Sequence, residues 1–431
     1  MTTPITFEAE PEAPKTSPRL AGRNRLLALT LLGVAVMSFT RLIADNDDLT
    51  SSGTFGVALR AAIPIALAGF AGLFAERSGT VNIGLEGRMI SGTIRAGWWG
   101  WQWGPWAALA GAILGGVLMG LLHGVATITF GVNHIVSGFA INILAAGLAR
   151  FMANKLFTGQ PGGSVTNSPG NAWPIGKFTM PLTSGGDLFG WATPDPLGWI
   201  EDKGWFMVSD VAGLLKGLTS NLTLDVVFVV VLFAGSSYLL WHTPFGLRMR
   251  AAGERPGAAD SLGVNVYRVK YAGIAISGGL AGLGGGVLEL FTNRYQENSV
   301  AGRGFLGLAT LIFGNWRPAG IAAGAGLFGF FQGITLRTQP ERLVRALMLA
   351  AAIALLFVAI WAIVTHRPKV IATGVAMAGL GFLAYATSNR PSNQFVYISP
   401  YLVTLIAVSI SSKRLRPPAA AGIPWRKGEQ L

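Results

Sequence analysis

The sequence predicts an all-α integral membrane protein, a polytopic helical bundle of about 10–12 transmembrane segments with an inverted pseudo-repeat. Three observations predict it. Of 431 residues, 51% are hydrophobic and 12% charged, against roughly 25% charged in an ordinary soluble domain. The mean hydropathy is +0.49. Apolar runs close to the length of a bilayer span recur along the chain, and in lipid such runs satisfy their peptide groups only as helices.

Residues 1–25 form a polar tail in which Glu8, Glu10 and Glu12 give way to Lys15, Arg19, Arg23 and Arg25. No small-residue cleavage site follows, so the next apolar run is expected to stay as the first helix. Spans are expected at 26–43, 54–75, 104–127, 133–153, 223–241, 270–292, 317–335, 345–365, 368–387 and 396–411. Two shorter or more polar stretches, 83–100 and 302–315, read either as full spans or as re-entrant pieces.

Basic loops set the orientation. The N-terminal tail, the loop 243–270 (Arg248, Arg250, Arg255, Arg268, Lys270) and the C-terminal tail 412–431 are expected in the cytoplasm, with the transmembrane domain at 26–411 between the tails. Asp45, Asp47, Asp48 and the long segment 155–222 then lie outside. So do Arg337, Arg342 and Arg345, against the rule. The series 54–75, 83–100, 104–127, 133–153 recurs in kind, with opposite orientation, at 270–292, 302–315, 317–335 and 345–365.

Several chemistries are excluded. With no cysteine there is no disulfide and no thiolate site. His123, His134, His242 and His366 are scattered without metal-ligand spacing. The net charge of +13 lies mostly at the ends of apolar segments, so it is read as a topology signal and not as nucleic-acid affinity. Gly324, Gly326 and Gly329 spell GxGxxG inside an apolar helix with no strand before it, which fails as a nucleotide motif. Gly116, Gly120 and Gly124 make a small-residue ridge suited to helix contact. No P-loop occurs, so ATP and Mg are expected on other subunits, and no cofactor on this chain.

Four segments carry the functional expectations. In 76–89, Asn82, Glu86 and Arg88 enter an apolar stretch between glycines, either as a Glu86–Arg88 pair at the interface or as groups facing a pore. In 131–142, Asn133, Ser137 and Asn142 lie on or near one helical face, suited to a hydroxylated substrate or to holding helices together. In 243–270 a short helix from Pro256 to Leu262, stopped by Gly263, suits docking of a cytoplasmic partner. In 301–320 a short apolar arm with Arg303, Thr310 and Asn315 resembles a broken membrane helix.

These segments resemble the inner-membrane permeases of binding-protein-dependent ABC importers, the nucleoside and simple-sugar subfamily related to the ribose and branched-chain amino-acid permeases. The likeness rests on ERSGTVNIGLEG, VNHIVSGFAINILAAGLARF, TPFGLRMRAAGERPGAADSLGVNVYRVKY, SGGLAGLGGG and AGRGFLGLATLIFGNW, with SPYLVTLIAVSI and PPAAAGIPW near the end. It implies a multi-pass subunit of a bacterial plasma (inner) membrane that translocates nucleosides or simple sugars. The implied partners are two cytoplasmic ATPase subunits, a second permease expected to be an unlike chain, an extracytoplasmic binding protein and membrane lipid.

By the same resemblance Gly253, Glu254, Arg255, Pro256, Ala258, Ala259, Asp260 and Gly263 belong to the coupling helix. Gly257 stands where the wider importer pattern E-A-A-x-x-x-G has Glu. Arg88 stands where relatives commonly carry an apolar residue, and 345–387 reads as an added helical hairpin. The expected substrate path runs by Asn82, Glu86, Asn133, Ser137, Asn142 and Asn315. The rival reading is an ion-coupled secondary transporter of a small polar solute, for which Glu86 and Glu289 are the candidate coupling sites. An intramembrane enzyme lacks a nucleophile and base at workable spacing.

Overall fold

The computed structural model describes residues 19–171, 173–337, 340–364, 368–387 and 415–427. The expected span 396–411 and the N-terminal tail before residue 19 lie outside the described residues. The chain runs through α1 (Arg19–Ala44), α2 (Ser52–Arg77), α3 (Leu85–Trp103), α4 (Pro105–Gly124), α5 (His134–Leu156), α6 (Pro196–Asp202) and α7 (Val208–Gly217). It continues through α8 (Leu224–His242), α9 (Pro244–Glu254), α10 (Pro256–Ser261), α11 (Val266–Thr292), α12 (Arg303–Phe313), α13 (Pro318–Arg337), α14 (Pro340–Val364) and α15 (Pro368–Thr387).

Among the described residues, 6 helical stretches are long and apolar enough to cross a membrane: Asp47–Arg77, Pro105–Thr129, His134–Leu156, Leu224–His242, Val266–Thr292 and Pro318–Arg337. The two ambiguous arms differ from one another. The first, α3, has 19 residues, about 28 Å of helix, and its polarity comes from Glu86, Arg88 and Arg95. The second, α12, has 11 residues, about 16 Å, which is roughly half the hydrocarbon thickness.

α2 and α11 form the centre. In each, 78% of the most apolar stretch is buried inside the protein, against 28% for α5, 22% for α8 and 33% for α13. The outer helices therefore present apolar faces to lipid or to another membrane subunit. Phe70, Leu73, Phe74, Leu85, Met89, Leu283 and Leu311 fill the core. The packing is exchanged between the two helix series: α2 lies on α12 and α13, while α11 lies on α3 and α4. Close approach requires glycine there. A Cβ on Gly116 would stand 2.0 Å from the Gly278 carbonyl oxygen, and one on Gly329 would stand 2.4 Å from that of Ala58. Gly116, Gly120 and Gly124 face α11, and Gly324 and Gly329 face α12 and α2, whereas Gly326 has open space around its α-carbon.

At one end of the bundle the segment 155–222 folds over the start of α2. It contains the pair β1 (Lys177–Phe178) with β4 (Leu222–Thr223), and a hairpin of β2 (Asp187–Leu188) with β3 (Trp191–Ala192). Asp210 on α7 pairs with Arg41 on α1 at 3.3 Å, both side chains nearly buried. Glu201 accepts the Ser52 N–H at 2.7 Å. Asp195 caps α6 through the Gly198 N–H at 2.8 Å and pairs with Lys216 at 2.7 Å. Burial opposes the Asp195 charge, but the Lys216 hydrogen bond, the Gly198 N–H and the Lys216 cation together hold its carboxyl below the usual range.

Arg337 lies at this same end, where it lines a polar cavity of about 580 Å³ with Arg60, Lys216 and Asp195. Arg345 lies over the Tyr385 ring at 4.9 Å. In α14 and α15, the expected extra hairpin, the two helices pack on each other, and α14 also meets α1.

Candidate coupling face and buried polar path

At the opposite end, α9 and α10 meet at Arg255, whose φ of −145° and ψ of 81° break the helix before Pro256. Gly263 ends α10 in the left-handed region, φ +81°, with its N–H on the Asp260 carbonyl at 2.9 Å and the Val264 N–H on Ala259 at 3.0 Å. Pro256 and Ala259 are buried, whereas Arg255, Ala258 and Leu262 face solvent, Leu262 at 85% exposure. Asp260 is half-buried.

This corner is fastened to the end of α2. Glu254 pairs with Arg77 at 3.2 Å, and Arg77 also donates to the Trp316 carbonyl at 3.2 Å. A Cβ on Gly253 would stand 2.3 Å from the Arg77 carbonyl oxygen, so the end of α9 runs directly over the last turn of α2. The Trp316 indole donates to the buried Glu76 carboxylate, which joins the turn between α12 and α13 to the same place.

Between α2 and α3 the chain leaves helix for Ser78–Gly84, and its backbone groups need partners away from water. Two histidines supply them. The Val81 N–H donates to His134 Nδ1 at 3.1 Å, and the Val81 carbonyl meets His123 Nε2 at 3.2 Å. A carbonyl only accepts, so Nε2 of His123 carries the proton and Nδ1 accepts the Ser137 hydroxyl at 2.8 Å. Next along, Asn82 Nδ2 and Arg88 Nη1 both donate to Ser277 Oγ on α11, at 2.8 and 3.2 Å. Arg88 is fully buried and has no ion pair among the described residues; its Nε and Nη2 and the Asn82 Oδ1 lack protein partners.

Of the two readings offered for Glu86 and Arg88, the mutual pair does not form. Glu86 instead accepts the Gly302 and Gly304 N–H groups, at 2.8 and 2.7 Å, capping the start of α12, while Arg88 turns to Ser277. Glu86 also borders a cavity of about 140 Å³ with Thr93, Tyr295, Gln296 and Asn298.

Asn142 accepts the Gly87 N–H at 2.8 Å and donates to the Ile83 carbonyl at 3.2 Å. Asn133 is exposed and caps α5 through Ile135 and Val136, at 2.9 and 3.3 Å. Thus Asn82, Ser137 and Asn142 gather around 81–88, with Glu86 bridging to α12. Asn315 lies apart, at the coupling end, where its Oδ1 accepts the Arg416 N–H at 2.8 Å.

Three side chains here, His123, His134 and Ser277, were not among the candidate site residues read from the sequence. His134 and His123 bond the N–H and the carbonyl of Val81, and Ser277 ties α11 to Asn82 and Arg88; residues 415–427, read from the sequence only as part of the family-like ending, cover the coupling corner. Their sequence positions carry no shared spacing that would have signalled this. Among the described residues no group of three or more His, Asp or Glu could hold a metal ion.

Residues 55–348 match the family described as branched-chain amino acid transport system / permease component. The chain is 32% identical over 378 residues to the guanosine ABC transporter permease protein NupQ of Bacillus subtilis, covering 86% of this chain and 95% of that protein. It is 34% identical over 282 residues to the nucleoside ABC transporter permease protein NupC of Lactococcus lactis, covering 63% and 78%. It is 29% identical over 292 residues to the putative glucose ABC transporter permease protein TsgC13 of Haloferax volcanii, covering 67% and 78%. No solved structure matches significantly.

Proposed function

The chain belongs to the branched-chain amino acid transport system permease family, and on that premise we propose that it is the membrane permease subunit of an ABC importer for nucleosides or related simple sugars. It sits in the bacterial plasma membrane as a multi-pass protein. ATP is hydrolysed on separate cytoplasmic subunits, and a binding protein delivers substrate on the other face.

The observation that carries this reading is the α9–α10 corner. A short helix lies at one end of the bundle with Pro256 and Ala259 packed inward and Arg255, Ala258 and Leu262 outward. Its root at Gly253 and Glu254 is locked to Arg77 at the end of the central helix α2. A push on α10 is therefore delivered to α2, and through Glu76 and Trp316 to α12. Coupling is assigned to Gly253, Glu254, Arg255, Pro256, Ala258, Ala259, Asp260 and Gly263. Those buried at the root transmit, and those exposed make contact.

The path for substrate is assigned to the side of 81–88, where the chain passes from the non-helical stretch Ser78–Gly84 into the first turn of α3, a helix break of the kind that forms transporter sites. Asn82, Ser137 and Asn142 set the shape of this segment, Glu86 joins it to α12, and Asn133 fixes the start of α5. Asn315 serves the coupling end in this reading. The weakly buried faces of α5 and α8 suit a second permease, taken to be an unlike chain. The hairpin tip at Phe189 and Trp191, 99% and 81% exposed, suits the binding protein.

The test is a pull-down of the detergent-solubilised permease from cells expressing the whole transporter, wild type against Arg255→Glu, with vanadate-sensitive ATPase assayed in the eluate. ATPase that co-purifies with wild type and falls in the variant supports the reading. Equal ATPase in both eluates removes Arg255 from the coupling face, and none in either overturns the importer assignment.

A further inference from the structure

Residues 415–427 lie beyond the stretch matched by the family and beyond the coupling residues read from the sequence, yet they are built into the same corner. The inner side of this strap is bonded along its length. The Ala419 N–H reaches Glu254 at 3.2 Å, the Ala420 N–H the Gly253 carbonyl at 2.9 Å, and the Gly422 N–H the Gly79 carbonyl at 3.2 Å. Trp425, 5% exposed, packs with Ala252, Ala259 and Val266.

Anchored in this way, the strap presents its other side at a fixed place beside α10. Ile423 is 41% exposed, and Pro424, Arg426 and Lys427 also face solvent. Trp425 sits on Ala259 of α10, so these residues continue the surface that holds Leu262 and Arg255. Apolar Leu262 and Ile423 among exposed Arg255, Arg268, Arg426 and Lys427 have the make-up of an interface with an apolar centre and a charged rim. Its complement is a protein cleft with an acidic edge.

We propose that the ATPase subunit docks on a composite surface made by α10 and the strap 415–427, with Ile423, Arg426 and Lys427 as contact residues. The proposal rests on the importer reading. The ATPase is the occupant because this surface is continuous with the coupling corner and shares its anchors, Gly253 and Glu254.

The experiment uses the complete transporter, purified in detergent, with three forms of the permease: wild type, Leu262→Asp, and Ile423→Asp/Arg426→Glu. Both variants change exposed side chains, and equal yield of monodisperse permease confirms folding. The strap variant is expected to lower co-purified ATPase about tenfold, the loss typical of an interface anchor. If Leu262→Asp loses the ATPase and the strap variant keeps it, docking is on α10 alone and the proposal falls while the importer reading stands. If both variants keep it, the coupling assignment itself falls. If the strap variant keeps the ATPase but no longer retains added phosphatidylglycerol, the strap is a lipid contact and the proposal is overturned.

Discussion

Glu86 and Gly304 are 218 residues apart, and the carboxylate of the first accepts the main-chain N–H of the second at 2.7 Å. With the Gly302 bond beside it, this contact fixes the start of α12 against the first turn of α3. The position of Gly304 admits no side chain, since a Cβ there would stand 2.5 Å from the Glu86 nitrogen.

As a helix cap, Glu86 needs its oxygens and not its ability to titrate. Glu86→Ala is expected to cost about 1–3 kcal/mol of stability, read as a lower melting temperature in detergent. Glu86→Gln, which keeps one acceptor, should retain uptake per folded molecule. Uptake lost in a fully folded Gln variant, together with sensitivity to ionophores, would favour the ion-coupled transporter.

Arg88 contributes one hydrogen bond from a buried guanidinium that has no counter-ion among the described residues. Replacing an unpaired buried charge with an apolar residue of similar length is commonly neutral or stabilising, by about 1–4 kcal/mol for ion-paired cases. Arg88→Met should therefore leave the melting temperature unchanged or higher, with Asn82 still on Ser277. A marked drop would show that the cation has a stabilising partner.

Gly263 has open space around its α-carbon, so its requirement is conformational. Gly263→Val forces a β-branched residue to φ +81° and should cost roughly 1–2 kcal/mol locally. The expected readout is weaker stimulation of ATPase by substrate-loaded binding protein at unchanged permease yield, with Gly263→Asn partly restoring it. Full stimulation in the Val variant would remove the helix stop from coupling.

The Asp195–Lys216 pair gives the outer segment a pH dependence of known sign. The Asp195 carboxyl is depressed in the fold, so its stabilisation is present above the unfolded value, about 3.9, and is lost as pH falls through the folded value. Hydrogen-exchange protection of 195–217 should be flat from neutral pH to about 5 and decline below about 4. Asp195→Asn should abolish that step. A wild-type decline already complete at pH 6 would contradict the assignment.

The ridge of Gly116, Gly120 and Gly124 was legible because small residues at four-residue spacing in an apolar helix have one main use in a membrane, and Gly116 and Gly120 meet the backbone of α11 as expected. The stop at Gly263 was legible for the same local reason, and the short helix before it begins at Pro256 as read. The partners of Glu86, Arg88 and Asn315 were not. Proximity in the sequence left a Glu86–Arg88 pair as one of two readings, but i and i+2 point to different faces of a helix. The two histidines gave no metal pattern and were set aside, yet their use is to satisfy the N–H and the carbonyl of Val81 where the chain leaves helix.

The sequence alone determined the solvent, the helical class, the glycine contact faces, the helix stop and the family, because each follows from composition, local backbone preference or the order of short motifs. Only the tertiary structure decided which polar groups meet. That choice depends on which backbone groups are left without partners where helices break inside an apolar bundle, and the side chains that answer them come from elements distant in the sequence, Glu86 reaching Gly304 across 218 residues.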